Sequence, residues 1–187
     1  MTAGGDRTAR LWDVASGQAR QVLRGHEGRV WSAQFAGDGK TVVTAGGDGT
    51  ARLWDVASGQ ARQVLRGHEG VVWSAQFAGD DKTVVTAGGD GTARLWDVAS
   101  GKELQVLRGH ESWVTSAQFA PDGKTVMTAG WDRTARLWDV ASGQARQVLR
   151  GHEGGHERAV CGRRQDGGDG GQGWERAAVG LSDLPRA

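Results

Sequence analysis

The chain has no tyrosine, two prolines and one cysteine, and each scarcity removes a class of explanation. A single thiol, Cys161, cannot close an internal disulfide, so the expected setting is a reducing one, the cytoplasm. Lys and Arg (23) nearly balance Asp and Glu (22). With no strong field of either sign, neither nucleic acid nor a membrane surface is an expected partner. No apolar run approaches the roughly 20 residues of a membrane-spanning helix. Met1-Thr2-Ala3-Gly4-Gly5-Asp6 has neither the basic nor the apolar region of a secretory leader. Helical periodicity is missing too, since no stretch holds an apolar face for the ten or so residues a helix needs. Cys/His spacing for zinc and a glycine loop ending in Lys-Ser/Thr are absent, so no metal and no cofactor are expected.

What the chain has in quantity is glycine (32) and tryptophan (9). Both come from repetition. Leu-Trp-Asp-Val recurs at Trp12, Trp54, Trp96 and Trp138, always 42 residues apart, and roughly four fifths of the chain restates one unit. A period in the low forties marks tandem supersecondary units. Each complete unit reads as four short strands, which in the first are Val30–Ala36, Thr41–Thr44, Thr50–Val56 and Arg62–Arg66. Val, Thr, Phe and Trp favour the pleated conformation. Gly37-Asp38-Gly39-Lys40, Gly46-Gly47-Asp48-Gly49 and Ala57-Ser58-Gly59-Gln60 are turn sequences between them. The expected fold class is all-β.

Gly-His follows each fourth strand, at His26, His68, His110 and His152, and Trp-Asp returns 28 residues after the first three of these histidines. These paired motifs, in register from Met1 to about His152, resemble the WD-repeat β-propeller family. The resemblance implies one four-stranded blade per repeat, with blades arranged radially. The expected units are a partial repeat over 1–24, full repeats over 25–66, 67–108 and 109–150, and a Gly-rich disordered tail over 151–187. Because Met1-Thr2-Ala3-Gly4-Gly5-Asp6 matches Val43-Thr44-Ala45-Gly46-Gly47-Asp48, the chain enters at the second strand of a blade. The first blade is therefore expected to lack its inner strand. Closed propellers of this type usually borrow that strand from the opposite terminus, and residues 154–187 hold no copy of Val-Trp-Ser-Ala-Gln-Phe. The expectation is an incomplete propeller that this chain does not close alone, and self-association to complete a ring follows from it.

The tail reads in a second way. With permitted codons, residues 165–181 read one nucleotide later can spell Lys-Thr-Val-Val-Thr-Ala-Gly-Arg-Asp-Gly-Ser-Gly-Arg-Leu-Trp-Asp, which matches Lys82–Asp97 at 13 of 16 places. The tail is accordingly read as a fifth repeat translated out of frame. Its Gly167-Gly168-Asp169-Gly170-Gly171 run is not read as a calcium site, since that repeat wants Asp where Gln172 stands and needs tandem copies.

Every full repeat carries a His, an Asp and a hydroxyl, the ingredients of a nucleophilic triad. The sets are His26, Asp48 and Thr44, then His68, Asp90 and Thr86, then His110, Asp132 and Thr128. Recurrence argues against catalysis, because an active site is built once. The resemblance implies instead a buried hydrogen-bonded tetrad in each blade, completed by Trp54, Trp96 and Trp138. The first repeat offers Thr2, Asp6 and Trp12 with no preceding histidine, so it should be the softest blade.

The copies differ on other loops too, as at Gly37/Gly79/Pro121, Gly39/Asp81/Gly123 and Gln60/Lys102, but two sets of differences fall at the same end of the repeat. Gly28-Arg29-Val30-Trp31 becomes Gly70-Val71-Val72-Trp73 and then Ser112-Trp113-Val114-Thr115, while Gly47-Asp48-Gly49 becomes Trp131-Asp132-Arg133 in the last copy. Trp and Arg are the residues that dominate binding hot spots. Arg29, Trp31, Val71, Trp73, Trp113, Thr115, Trp131 and Arg133 are the expected partner-binding residues, on loops of the top face. The predicted function is a non-catalytic scaffold for a protein or peptide partner. The alternative is a fragment or remnant of a larger multi-repeat signalling or sensor protein with no independent function.

Overall fold

The Thr, Val, Ala and Trp runs resolve into fifteen antiparallel strands in a computed structural model, which describes residues 1–151. The Gly-rich tail, with its out-of-frame reading, lies outside the described residues. Blade one holds β1 (Thr2–Ala3), β2 (Thr8–Trp12) and β3 (Ala19–Arg24). Blade two holds β4 (Val30–Phe35), β5 (Thr41–Gly46), β6 (Thr50–Asp55) and β7 (Ala61–Arg66). Blade three follows with β8 (Val72–Phe77), β9 (Thr83–Gly88), β10 (Thr92–Asp97) and β11 (Glu103–Arg108). Blade four has β12 (Val114–Phe119), β13 (Thr125–Gly130), β14 (Thr134–Asp139) and β15 (Ala145–Arg150). Each sheet is a simple meander in chain order, and the first has three strands. No described residue lies in an α-helix.

Strand ends depart from expectation by one or two residues, each for a pairing reason. β5 runs on to Gly46 because Ala45 and Gly46 pair back onto Ser32 and Val30 of β4. β4 stops at Phe35, since the Ala36 N–H turns to the Thr41 carbonyl at 2.9 Å. Between β6 and β7 the chain is turned by Asp55, whose carboxylate accepts from the Ser58 N–H and hydroxyl at 2.8 and 2.9 Å. The aspartate of each Trp-Asp pair thus anchors a hairpin, a role the sequence alone did not disclose.

The core lies between blades rather than within them. Val43, Ala45, Ala51, Leu53 and Leu65 of blade two meet Val72, Phe77, Val84 and Trp96 of blade three. Blades three and four repeat this seam around Trp138, and blades one and two around Trp54. β5 is accordingly buried along its whole length, since both faces of its sheet are covered, while β7 at the rim is mostly exposed. Each of these indoles removes roughly 150–250 Å² from water, an upper bound of about 4–6 kcal/mol per seam. Side chains also bond across the seams. Ser32 Oγ and Gln34 Oε1 accept the Ala75 and Phe77 N–H groups at 3.2 and 3.0 Å, and Ser74 and Gln76 do the same for Ala117 and Phe119.

Among the described residues, the four sheets form an arc that does not close. Its first end shows what a missing neighbour costs. Trp12 is 38% exposed, against 1–2% for Trp54, Trp96 and Trp138. Phe35, with no inner strand before it, is 42% exposed where Phe77 is 7%.

Candidate functional site

Within each full blade the recurring polar residues form one hydrogen-bonded chain. Trp54 Nε1–H donates to Thr44 Oγ1 at 2.8 Å, and Thr44 lies 2.7 Å from His26 Nε2. His26 Nδ1 stands 2.9 Å from the Asp48 carboxylate, which also accepts from the Thr50 hydroxyl and the Glu27 N–H. Blades three and four repeat this through Trp96, Thr86, His68 and Asp90, and through Trp138, Thr128, His110 and Asp132. Indole can only donate and a carboxylate can only accept, so the indole N–H donates to the threonine hydroxyl and Nδ1–H donates to aspartate. A neutral imidazole takes the threonine O–H at Nε2, whereas an imidazolium would donate Nε2–H to the second lone pair of the hydroxyl.

Burial holds His26 and His110 below the ordinary imidazole value. Burial alone would raise the Asp48 and Asp132 carboxyls, yet bonds from Thr50 or Thr134, a backbone N–H and the histidine hold each at about 2. Asp90 is held lower still, against its burial, chiefly by His68. Thr44, Thr86 and Thr128 have no exposed surface. Among the described residues, no group of three or more His, Cys, Asp or Glu could hold a metal ion.

The expected partner-binding residues fall at one end of the arc, where four indoles make a continuous row. Trp31 packs on Trp73 with centroids 4.8 Å apart, Trp73 on Trp113 at 5.8 Å, and Trp113 on Trp131 at 4.6 Å. These spacings lie in the favourable range for aromatic pairs. Arg29 extends the row, its guanidinium 4.4 Å above the Trp31 ring. Trp31, Trp113 and Trp131 are 37–42% exposed, whereas Trp73 in the middle is partly covered. Trp131 and Arg133 lie in the turn between β13 and β14, and Arg133 adopts a positive φ of 62°. Trp31, Trp73 and Thr115 are on strands rather than loops. Each is the extra residue of a β-bulge at the start of β4, β8 or β12, which turns its side chain toward this end. Arg29, Val71 and Trp113 immediately precede these strands.

The differences between copies are coupled in space. A Cβ on Gly47 would stand 3.3 Å from Trp31 Nε1, and one on Gly89 would stand 3.5 Å from Trp73 Nε1. The bulge indole therefore lies across the glycine of the neighbouring turn. Blade four exchanges the two sizes, with Thr115 in the bulge and Trp131 in the turn. The indole has moved to the adjacent segment and the row stays unbroken. A second coupling involves Asp81, which stands where the other copies have Gly39 and Gly123. It adopts a φ of 58°, and its carboxylate accepts the Gly37 and Asp38 N–H groups of blade two at 2.8 and 3.0 Å.

Compared with known families, the chain matches the one described as WD domain, G-beta repeat at residues 17–55, 59–97 and 101–139, together more than half of its length. No curated protein matches it.

Proposed function

Since the chain belongs to the WD-repeat family, we propose that it is a non-catalytic scaffold that captures a protein or peptide through the end carrying the tryptophan row. The single observation that supports this reading is the row itself, four indoles in contact across three blades and three of them substantially exposed. Large exposed aromatics at one end of a rigid scaffold are the usual anchors of a binding surface, and flanking arginines add directional contacts. The rings pack on one another at tilts of 34–55°, and a partner would meet their exposed parts together with Arg29, Val71, Thr115 and Arg133 at the margins. The His-Thr-Asp-Trp chains serve stability in this account, and the expected setting is the cytoplasm. Partner capture should fall by at least about 30-fold for each of Trp113→Ala and Trp131→Ala, if each is a hot spot of about 2 kcal/mol. The far-UV circular dichroism spectrum should stay the same. Capture that survives both substitutions sinks the assignment of this face.

A second reading makes the chain a segment of a larger multi-repeat signalling protein. The arc that does not close is what favours it. In-frame repeats in the encoding DNA on either side would establish it, and stop codons on both sides would remove it.

A further inference from the structure

Much of the charge at the tryptophan end cancels within each repeat. The turn aspartates Asp48, Asp90 and Asp132 have Arg52, Arg94 and Arg136 at 3.8, 3.3 and 3.9 Å. Asp6 and Arg10 stand 2.9 Å apart in blade one. The exposed Glu27, Glu69 and Glu111, whose N–H groups bind the turn aspartates, are matched in number by Arg24, Arg66 and Arg108 at the same end of the outer strands. What the copies do not share here is of another kind. Positions 7, 49, 91 and 133 hold Arg, Gly, Gly and Arg, and positions 29, 71 and 113 hold Arg, Val and Trp. None of these is acidic.

Arg7, Arg29 and Arg133 are exposed and make no ion pair among the described residues. They stand at the two ends of the indole row. Arg29 caps Trp31, and a Cβ on Gly5 would lie 3.9 Å from Arg29 Nε, so Arg29 reaches the blade-one turn that carries Arg7. Arg133 follows Trp131 by two residues in the blade-four turn. Arg7 and Arg133 hold φ of 67° and 62°, where Gly49 and Gly91 hold 77°. That region favours glycine, so each guanidinium is placed there against the preference of the backbone. Between these cations, the three ring-to-ring steps of the row cover at most about 15 Å, the length of four or five extended residues at roughly 3.3 Å each.

Taking this end as the binding face, on which the inference rests, we infer that its partner is an extended peptide segment with an apolar stretch of about four or five residues between acidic side chains. The apolar stretch lies against the exposed parts of Trp31, Trp113 and Trp131. Carboxylates on one side of it meet Arg7 and Arg29, and those on the other side meet Arg133. A guanidinium suits this role because its fork pairs with both carboxylate oxygens. A single-stranded nucleic acid would also bring anions to arginines, but it binds by stacking its bases on aromatic rings. Rings whose centroids are 4.6–5.8 Å apart leave no slot for a base, which needs about 7 Å, two stacking distances of roughly 3.4 Å.

Selection from a library of random dodecapeptides with capped ends, on the full 187-residue chain, tests this. The selected peptides are expected to carry Asp or Glu on both sides of an apolar stretch. They should bind at least about tenfold more weakly to the double variant Arg7→Gly with Arg133→Gly. Both substitutions copy blades two and three at positions that favour glycine, so the far-UV circular dichroism spectrum should not change. Should either one disturb its turn, Arg29→Gln alone still decides, since it lies outside both turns and must weaken the same peptides. Raising sodium chloride from about 50 to about 500 mM should weaken binding to the unmodified chain more than binding to the double variant. Peptides that need Trp113 and Trp131 but show no acidic enrichment overturn the proposal and leave the binding face standing. Peptides that bind equally well after Trp113→Ala and Trp131→Ala overturn the face, and the proposal with it. A selection that enriches no sequence overturns the proposal, as does an oligothymidylate that binds as tightly as the selected peptides.

Discussion

A buried hydroxyl does the most economical work in this molecule. Thr86 Oγ1 accepts from Trp96 Nε1–H and bonds His68 Nε2, so exchanging its hydroxyl for the methyl of valine leaves two buried groups unpaired. Each such group costs about 1–3 kcal/mol. Thr86→Val should therefore lower the unfolding free energy by about 2–6 kcal/mol in urea titration. Thr2→Val should cost less than about 1 kcal/mol, because Thr2 is exposed and bonds only Trp12 among the described partners. Equal losses at the two positions would contradict the relay. Acid should attack the same chains in two stages. His26 and His110 titrate below 6.5 in the fold because burial disfavours the cation, so the unfolded chain binds their protons first. Stability is then complete above about pH 6.5 and declines as pH falls below it. Asp48 and Asp132, held at about 2 against 3.8, add a second loss of about 2 kcal/mol each as pH falls from about 4 to 2. Urea midpoints measured from pH 8 to 2 should trace both steps, and a midpoint that rises between pH 6.5 and 5 would refute the first.

At the scale of strands and turns, the bulge and the turn beside it behave as one unit. Gly47→Trp should overpack the space already crossed by Trp31, at a cost of about 1–3 kcal/mol. Adding Trp31→Thr reproduces the arrangement of blade four and should recover most of that loss. A double-mutant cycle in urea measures the recovery, and simple additivity would show that the two positions do not interact. This coupling also marks where sequence reading stops. Strand order and turn positions were legible because period and turn chemistry are local, whereas the members of each tetrad came from the resemblance to the WD-repeat family. Trp31 and Gly47 are 16 residues apart and become neighbours only through the β4–β5 register, which no local pattern reveals. The signal that could have found them was the paired exchange of Trp and Gly for Thr and Trp between copies. Asp81 was similarly opaque. A non-glycine residue at a φ of 58° reads as drift until its carboxylate is seen to hold the Gly37–Asp38 turn of the previous blade.

For the molecule as a whole, stability is a matter of neighbours. A blade has no core of its own, so an end blade with one seam should open before an inner blade with two. Amide hydrogen exchange should be faster in β2 than in β10, although the two strands share the sequence Thr-Ala-Arg-Leu-Trp. Uniform protection from β2 to β14 would mean that the arc unfolds as a single unit. The Ser and Gln side chains that bind the next blade carry a last consequence. Ser32 and Ser74, like Gln34 and Gln76, grip their targets with the same atoms at the same sequence separation. No blade therefore carries an address of its own. Excising residues 67–108 would bring Gln34 to Phe119 through the bond it now makes to Phe77. Unequal exchange between gene copies can thus lengthen or shorten this protein by whole blades, and blade number becomes an inherited quantity that changes without any residue being replaced.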